Sequence, residues 1–336
     1  MVTIKDVAKK ADVSPSTVSR VLSDSSAISK KTKKKVRKVM EEVGYTPNLS
    51  ARYLATKQTK TILLVLKTAS VEMRQNPFFT DVLISVSEVC KDKGYSTIMT
   101  TSIDEHALFT EVKNYIDSRI IDGIILLYSK QDKVTQYIKE KSFPFIVVGK
   151  SLNDNYPVMY VDNDNVLASE QITQYMIGLG HKSLLFISEQ GDYEVSKDRV
   201  RGFKKTCEVY DINYGVVEGT LDRVTAKKII DTNDISSYSG IITSDSMMNL
   251  VILSVLYDKD ISVPNDIQTA TFNDSFLSET ACPSQTVVNI FPESLGKMAA
   301  TNLIELLEDK NYPLYNVVIP TKIIERNSTK IIGESI

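Results

Sequence analysis

Three polar side chains near the start of the chain, Ser16, Ser19 and Arg20, have chemistry suited to nucleic acid. They lie in the segment PSTVSRVL, whose valines and leucine fall on one helical face and leave the polar residues on the others. An arginine can donate two hydrogen bonds to O6 and N7 of a guanine, and hydroxyl groups suit phosphate oxygens. The segment therefore predicts a short helix with one buried face and one polar face that is available to contact nucleic acid.

A second set of polar and aromatic residues is spread over loops that follow predicted strands in the rest of the chain. Recognition of a sugar requires planar polar groups for vicinal hydroxyls and aromatic rings for C–H surfaces. The candidates of this kind are Asn76, Phe78, Phe79, Tyr128, Lys150, Asp162, Arg199, Asp245, Asn273 and Asp274. Together they indicate a binding site for a small polar ligand.

Several of these residues also have a purely structural explanation. Phe78 and Phe79 follow a proline at a helix start, so either ring can belong to the core. Asp162 and Asp164 can cap the helix that follows them, and Lys150 can form a salt bridge between lobes. The sequence leaves both explanations open.

Motifs for catalysis and metal binding are missing from the sequence. It contains neither G-x-x-x-x-G-K-S/T nor G-x-S-x-G, and paired aspartates are too common to indicate glycoside hydrolysis. His106 and His181 are the only histidines, and neither lies at ligand spacing from a cysteine. Cys90, Cys207 and Cys282 are odd in number and far apart, which favours reduced thiols. We therefore expect no enzymatic activity, no cofactor and no bound metal.

Charge divides the chain into a basic head and an acidic body. Residues 1–60 contain fourteen Lys and Arg and five Asp and Glu, which gives a formal charge of +9. Because the whole chain has a net charge of −2, residues 61–336 carry −11. Because phosphate neutralisation drives nucleic-acid affinity, this segregation favours a DNA- or RNA-binding module on a separate body. A solvated lysine-rich surface is the alternative.

Length and hydropathy limit the remaining classes of protein. The 336 residues suit two or three domains. No apolar run reaches the ~18 residues of a membrane span, and the start of the chain lacks the apolar segment of a secretory signal. We expect a cytoplasmic protein without membrane contact.

Capping signals divide the head into three short helices. A T-x-x-D capping box begins at Thr3, and Ser14 precedes Pro15 at the first position of a second helix. Only a few residues separate these helices, which predicts a helix-turn-helix domain over residues 1–47. A third, lysine-rich helix follows Ser29. Its apolar stripe, which should close the small core, consists of Val36, Val39, Met40 and Val43.

The segment NLSARYLATK within residues 48–58 predicts a hinge helix between head and body. Asn48 is its candidate N-cap, and Ala51 and Leu54 are among its helix formers. A helix this short is marginal alone. We expect it to fold only against DNA and a partner chain.

From residue 61, apolar runs of strand length alternate with amphipathic helices, which indicates parallel sheets in a body over residues 59–336. The first series of strands is TILLVLK, STIMTTS, DGIILLYS and PFIVVGK. The second series is VMYVDND, KSLLFIS, YGVVEGT, GIITSDS and QTATFND, and TVVNI and VVIPTKIIERN in the tail can return a strand to each lobe. We predict two doubly wound lobes, one of about 61–160 with 291–319 and one of about 161–290 with 320–336. A ligand cleft is expected where their strands end.

The run TIKDVAKKADVSPSTVSRVLS, the basic third helix and then PNLSARYLATKQT resemble the N-terminal signature of the LacI/GalR family of repressors. The resemblance implies an all-α head with a lambda-repressor-like fold, whose second helix enters the major groove. It places Pro15, Ser16 and Arg20 at base edges and Thr17 and Ser19 at phosphates. Pro15 departs from the usual Ala, Tyr or Thr of the family and has no donor, so it can contact a thymine methyl at most.

The hinge segment carries the rest of the implied DNA interface. In the family, the hinge helices of a dimer lie in the minor groove, where a leucine wedges between base pairs. Leu54 matches this wedge, with an ordinary buried leucine as the alternative, and Arg20 can instead contact only phosphate. The full set expected to bind DNA is Thr3, Pro15, Ser16, Thr17, Ser19, Arg20, Asn48, Ala51 and Leu54.

The body resembles the effector domain of the same family, which shares the α/β fold of periplasmic sugar-binding proteins. The landmarks are QNPFF, VGKS, VDNDN, KDRVRGF, TSDS and FND. Arg199 matches a family arginine that binds ligand hydroxyls or a carboxylate, and Asn273 stands where many relatives have aspartate. TATFND lacks the glycine usual before the aromatic residue.

These resemblances imply a homodimeric repressor that binds a near-palindromic operator and responds to maltose or maltodextrin. A transport-type sugar receptor is an alternative for the body alone. A second alternative is a global carbon-catabolite regulator that responds to a phosphocarrier protein.

Overall fold

The structure, a computed structural model, describes residues 2–22, 25–45, 58–67, 76–102, 104–150, 157–190, 193–220, 222–309 and 311–333. The chain divides into two units, residues 1–59 and residues 60–336, which we call the head and the body. Within the described ranges, no helix has the length and apolar character that crossing a membrane requires.

The described part of the head contains three helices: α1 (Ile4–Ala11), α2 (Pro15–Leu22) and α3 (Lys30–Glu42). The backbone amide of Thr3 donates to Asp6 Oδ2 over 2.8 Å, and Ser29 Oγ accepts from the Thr32 amide over 3.1 Å. Both caps are those expected from the sequence. The core of the head consists of Val7, Ala8, Ala11, Val18, Val21, Val36, Val39 and Met40. Burial of this core fixes α2 against α1 and α3.

Two six-stranded sheets organise the described part of the body. The first sheet has the strand order β11-β5-β4-β3-β1-β2, and all of its pairings are parallel. We call this sheet and its helices the first lobe. Its elements are β1 (Thr61–Val65), α4 (Pro77–Asp92), β2 (Ser96–Met99), α5 (Glu105–Asp117), β3 (Gly123–Leu126), α6 (Lys133–Glu140), β4 (Phe145–Val148), β5 (Met159–Asp162) and, from the tail, α12 (Pro292–Glu308) and β11 (Val317–Val318).

The second sheet has the order β12-β10-β9-β8-β6-β7 and, with its helices, forms the second lobe. Its elements are α7 (Asn165–Gly178), β6 (Ser183–Glu189), α8 (Glu194–Val209), β7 (Asn213–Gly219), α9 (Arg223–Thr232), a 3-10 turn (Ile235–Ser237), β8 (Gly240–Thr243), α10 (Ser246–Asp258), β9 (Gln268–Phe272), α11 (Phe276–Thr280), β10 (Thr286–Asn289) and β12 (Lys322–Ile324). Only β10 and β12 pair antiparallel among the described strands.

One strand differs from its predicted position. The sequence pattern places the segment VMYVDND in the second series. This segment forms β5, which instead pairs with β4 of the first sheet, with Ile146 opposite Met159 and Val148 opposite Val161. Sequence order alone cannot assign a strand at the crossing between lobes, because its hydrophobic pattern suits either sheet. The tail returns β11 to the first sheet and β12 to the second, as the sequence suggested.

Candidate functional site: an exposed helix of the head and a cavity in the body

The outer face of α2 presents the residues expected to contact DNA. Pro15, Ser16, Ser19 and Arg20 are exposed, and Thr17 is half-buried. The Ser14 hydroxyl accepts from the Thr17 amide over 3.2 Å and contacts the hydroxyls of Ser16 and Thr17 at 2.8 and 2.9 Å. Ser14 therefore caps the helix, and the hydroxyls of Ser16 and Thr17 contact this cap.

Of the four other residues predicted to contact DNA, the structure describes one. Thr3 is exposed, and its hydroxyl donates to Asp6 over 2.7 Å as part of the α1 cap. Asn48, Ala51 and Leu54 lie outside the described residues. Further lysines are exposed along α3, namely Lys30, Lys31, Lys34, Lys35 and Lys38.

A cavity of about 230 Å³ lies between the two lobes of the body. It opens at the carboxyl ends of the parallel strands, where ligands of such sheets bind. Tyr128 follows β3, Lys150 follows β4 and Asp162 ends β5 on the first sheet, while Asp245 follows β8 and Asn273 follows β9 on the second. The residues from the two sheets therefore face one shared space.

Nine of the ten predicted effector residues line this cavity: Asn76, Phe78, Phe79, Tyr128, Lys150, Asp162, Arg199, Asp245 and Asn273. The structure does not bring Asp274 to it. Its carboxylate instead accepts hydrogen bonds from both terminal nitrogens of Arg326, at 2.8 and 3.2 Å, and from the Ser278 hydroxyl at 2.7 Å. One residue beyond Asn273, the chain has already turned towards α11.

Arg199 forms the polar centre of the cavity wall. Its guanidinium donates to Asn165 Oδ1 at 3.2 Å, to the Ser244 carbonyl at 2.6 Å and to Asn273 Oδ1 at 3.4 Å. It also lies 4.2 Å from the centroid of the Phe272 ring. Burial lowers the pKa of Arg199 to about 10, which leaves it charged at neutral pH. Neutral acceptors and a ring thus hold a buried cation in a fixed orientation.

Asp245 connects the two lobes through amide donors. Its carboxylate accepts from the backbone amide of Met247 at 2.7 Å, which caps α10, and from the side-chain amide of Asn76 at 3.1 Å. The Asn273 amide also donates to it. Burial raises the pKa of Asp245, while these donors oppose the rise. The carboxylate thereby joins the first lobe to the Arg199 network.

Asp162 and Asp164 divide the two roles that the sequence left open. Asp164 caps α7 by accepting from the Leu167 amide at 2.9 Å. Asp162 lines the cavity and accepts from the Asn163 amide at 2.8 Å and the Asn165 side chain at 3.2 Å. Burial raises the pKa of Asp162 to about 6.

The aromatic residues are both core and cavity wall. Phe78 and Phe79 meet edge to face with centroids 5.2 Å apart, and both line the cavity. Phe78 packs against core residues of both lobes, and Phe79 against those of the first. Tyr128 is buried, and its hydroxyl has no hydrogen-bond partner within the described ranges. Burial raises the pKa of Tyr128, so its hydroxyl is neutral at physiological pH.

Two lysines of the first lobe reach groups of the second. Lys150 Nζ lies 3.5 Å from Asp198 Oδ2, so Lys150 forms the interlobe salt bridge that was one of its two interpretations, and it also lines the cavity. Lys67 Nζ lies 4.6 Å from the centroid of the Tyr193 ring and donates to its hydroxyl over 3.4 Å. Both contacts cross the cavity.

The cavity wall includes residues that sequence reasoning did not single out. These are Lys67, Leu127, Ser129, Val148, Gly149, Asn163, Asn165, Glu189, Tyr193, Glu194, Val195, Ser196, Ser244, Ile290 and Leu295. Asn163, Asn165 and Ser244 lie inside the landmarks VDNDN and TSDS, so the signal was present. Lys67 and Tyr193 carry no such signal, because only folding brings them together.

Both units of the chain match known protein families. Residues 3–48 match the bacterial regulatory proteins of the lacI family, and residues 173–329 match the periplasmic binding protein-like domain. The chain is 43% identical over 339 residues to the HTH-type transcriptional regulator MalR of Staphylococcus xylosus, covering 99% of this chain and 100% of that protein.

Solved structures give the same picture. The probable maltose operon transcriptional repressor of Staphylococcus aureus is 39% identical, with a TM-score of 0.77 over 81% of this chain and 99% of that one. The lac repressor dimer bound to operator and an anti-inducer has a TM-score of 0.82 over 98% of this chain and 99% of that one, and at 21% identity it supports the fold. The predicted helix-turn-helix head, the two-lobed body and the family resemblance are thus confirmed. This chain belongs to the lacI family of bacterial regulatory proteins.

Proposed function

We propose that the chain is a dimeric repressor of maltose or maltodextrin utilisation genes, and that a sugar bound in the body controls its affinity for operator DNA. The observation that carries the proposal is the cavity at the strand ends, where Arg199, Asn273 and Asp245 offer fixed polar groups beside aromatic rings. Such a wall suits hydroxyls and C–H faces of a sugar. The names of the relatives in Staphylococcus point to maltose.

The head supplies the DNA interface in this proposal. Arg20 donates to a guanine in the major groove, Pro15 and Ser16 lie near base edges, and Thr17 and Ser19 contact phosphates. The hinge, with Asn48, Ala51 and Leu54, enters the minor groove. Thr3, at the start of α1, contacts the DNA backbone. A two-fold dimer requires a near-palindromic operator, because each head reads one half-site.

Control follows from linkage between the sugar and the DNA. The sugar bridges groups on both lobes, so it favours one relative orientation of the lobes over others. If that orientation disfavours packing of the hinge, operator affinity falls. Coupling of this type is reciprocal and typically amounts to ~1–3 kcal/mol, which corresponds to about 5- to 150-fold in affinity.

Fluorescence anisotropy with a labelled operator from a maltose gene cluster tests the proposal. We expect tight, salt-dependent binding that maltose or maltotriose weakens at least about fivefold, while sucrose does not. Calorimetry on the same protein should report sugar binding without operator and weaker sugar binding with it. Operator affinity that is unchanged by every maltodextrin would overturn the assigned effector, and steady conversion of maltose to product would overturn a purely regulatory role.

A further inference from the structure

The cavity wall carries charges of both signs. Its carboxylates are Asp162, Glu189, Glu194 and Asp245, and its cations are Lys67, Lys150 and Arg199. Whether the wall presents a net positive or a net negative charge to a ligand depends on which of these charges are compensated by partners within the protein. Direct partners therefore decide the selectivity of the cavity.

The cations are engaged within the protein. Lys150 forms its salt bridge with the buried Asp198, and Lys67 lies over the Tyr193 ring. Arg199 uses three of its five N–H groups on Asn165, Ser244 and Asn273. A ligand that relied on a cation would have to compete with these contacts.

Asp162 and Asp245 differ from Lys150, because the hydrogen bonds described above give them only neutral partners. Asp162 accepts from a backbone amide and the Asn165 side chain. Asp245 accepts from a backbone amide and the side chains of Asn76 and Asn273. Neutral N–H groups stabilise a carboxylate without cancelling its charge. Among the residues that the structure describes, the two carboxylates thus outnumber the one buried cation beside them, Arg199.

Resting on the function proposed above, we propose that Asp162 and Asp245 are specificity-determining residues that admit an uncharged sugar and exclude its phosphate ester. A sugar hydroxyl both donates and accepts, so it can donate to these carboxylates while accepting from Arg199. A phosphate dianion has no donor, and at neutral pH it adds a charge of about −1.5 to −2. Within about 6 Å of a carboxylate this repulsion lowers affinity by at least about tenfold at an effective dielectric constant near 20.

Isothermal titration calorimetry on the full chain at pH 7.5 tests the proposal with two matched pairs of ligands. Maltose is compared with maltose 6′-phosphate, and trehalose with trehalose 6-phosphate. For each pair that binds, we expect the phosphate ester to bind at least about tenfold more weakly than the parent sugar.

Variants assign this selectivity to the two residues. Asp162→Asn and Asp245→Asn each replace a carboxylate by an amide of the same shape that can donate to phosphate, so each should narrow the ratio of the two dissociation constants at least about threefold. Asp245→Asn keeps an oxygen that can cap α10. Glu88→Gln, at an exposed position near the end of α4, removes the same charge outside the cavity lining and should leave the ratio unchanged. Circular dichroism on all four proteins verifies folding.

The possible outcomes distinguish failure of the proposed selectivity from failure of the proposed sugar-responsive function. A phosphate ester that binds as tightly as its parent, or a ratio that neither cavity variant alters, overturns the selectivity while the sugar-responsive function stands. If neither maltose nor trehalose binds, with or without phosphate, the maltose function and the selectivity built on it both fall.

Discussion

The side-chain amide of Asn76 donates a 3.1 Å hydrogen bond to the carboxylate of Asp245, and this bond joins the two lobes of the body. Asn76 simultaneously caps α4, because its Oδ1 accepts from the Phe78 amide at 3.0 Å. Asp245 likewise caps α10. The starts of two helices in different lobes are therefore connected through one bond at the edge of the cavity.

Asn76→Ser should separate capping from bridging. Serine keeps an oxygen that caps α4, but its side chain is too short to reach Asp245. We expect the free energy of unfolding to fall by ~1–2 kcal/mol, the contribution of a hydrogen bond to a charged group, and sugar affinity to fall about 5- to 20-fold because this bond no longer joins the lobes at the cavity edge. Calorimetry and urea denaturation measure the two quantities. Asn76→Ala, which loses the cap as well, should lower stability by a further ~1 kcal/mol; equal sugar affinity in wild type and both variants would contradict a bridging role.

Arg199→Lys should uncouple the sugar from the operator. Lysine keeps the charge but cannot donate at once to the three acceptors that the guanidinium contacts. We expect the dissociation constant for maltose to rise at least about tenfold, with operator affinity in the absence of sugar within about threefold of wild type. Anisotropy titrations with and without maltose measure both. Arg201→Lys, at an exposed position on the same helix, is the matched control, and a normal response to maltose in Arg199→Lys would show that the guanidinium geometry is dispensable.

Asp162→Asn should stabilise the body at neutral pH. Burial raises the pKa of Asp162 from 3.8 to about 6, so the native state binds more protons than the unfolded state between these values. The stability due to this group is therefore fully present below pH ~4 and is lost as the pH rises through about 6. The variant should exceed wild type by ~1–2 kcal/mol at pH 7.5, with a difference that shrinks towards pH 4.5. Urea denaturation across this range provides the measurement, and a difference independent of pH would exclude a titrating Asp162 as its cause.

Gly202→Ala should disrupt the contact between α7 and α8. A Cβ at Gly202 would overlap the Val166 carbonyl oxygen and lie 2.9 Å from Ser169 Cβ, both on α7. We expect a loss of ~2–3 kcal/mol in the free energy of unfolding, because the helices must separate. The control is Gly178→Ala at the end of α7, where a Cβ meets no atom within 4 Å and stability should stay within ~0.5 kcal/mol or rise. Similar unfolding midpoints for the two variants would refute the close packing.

Arg20→Ala should relax base preference at one position in each half-site. Loss of a bidentate contact to guanine costs ~1–3 kcal/mol for the preferred operator and little for one substituted at that base pair. Thr17→Val should instead weaken binding to all sequences alike, since phosphate contacts carry no sequence information. Anisotropy with a set of single-base operator variants distinguishes the two patterns. Equal losses on specific and non-specific DNA in Arg20→Ala would assign Arg20 to a phosphate.

The sequence alone determined the elements and their chemistry. Capping residues such as Ser29 and the apolar spacing of Val36 and Val39 are local signals, so the helices of the head were readable without a structure. Runs of strand length that alternate with helices likewise indicated parallel sheets, whose strand ends supply five of the nine predicted residues that line the cavity. A buried face and a helix start depend on neighbours in the chain, and these are what a sequence displays.

Tertiary structure decided which of these residues meet. The assignment of β5 to the first sheet depends on pairing with β4, and nothing within the segment distinguishes one sheet from the other. Asp274 and Asn273 are adjacent in sequence, yet one pairs with Arg326 and the other with Arg199. The contact between Lys67 and Tyr193 joins residues that are distant along the chain. Contacts of this kind join segments that are distant along the chain, and a long-range contact leaves no periodic signal in the sequence.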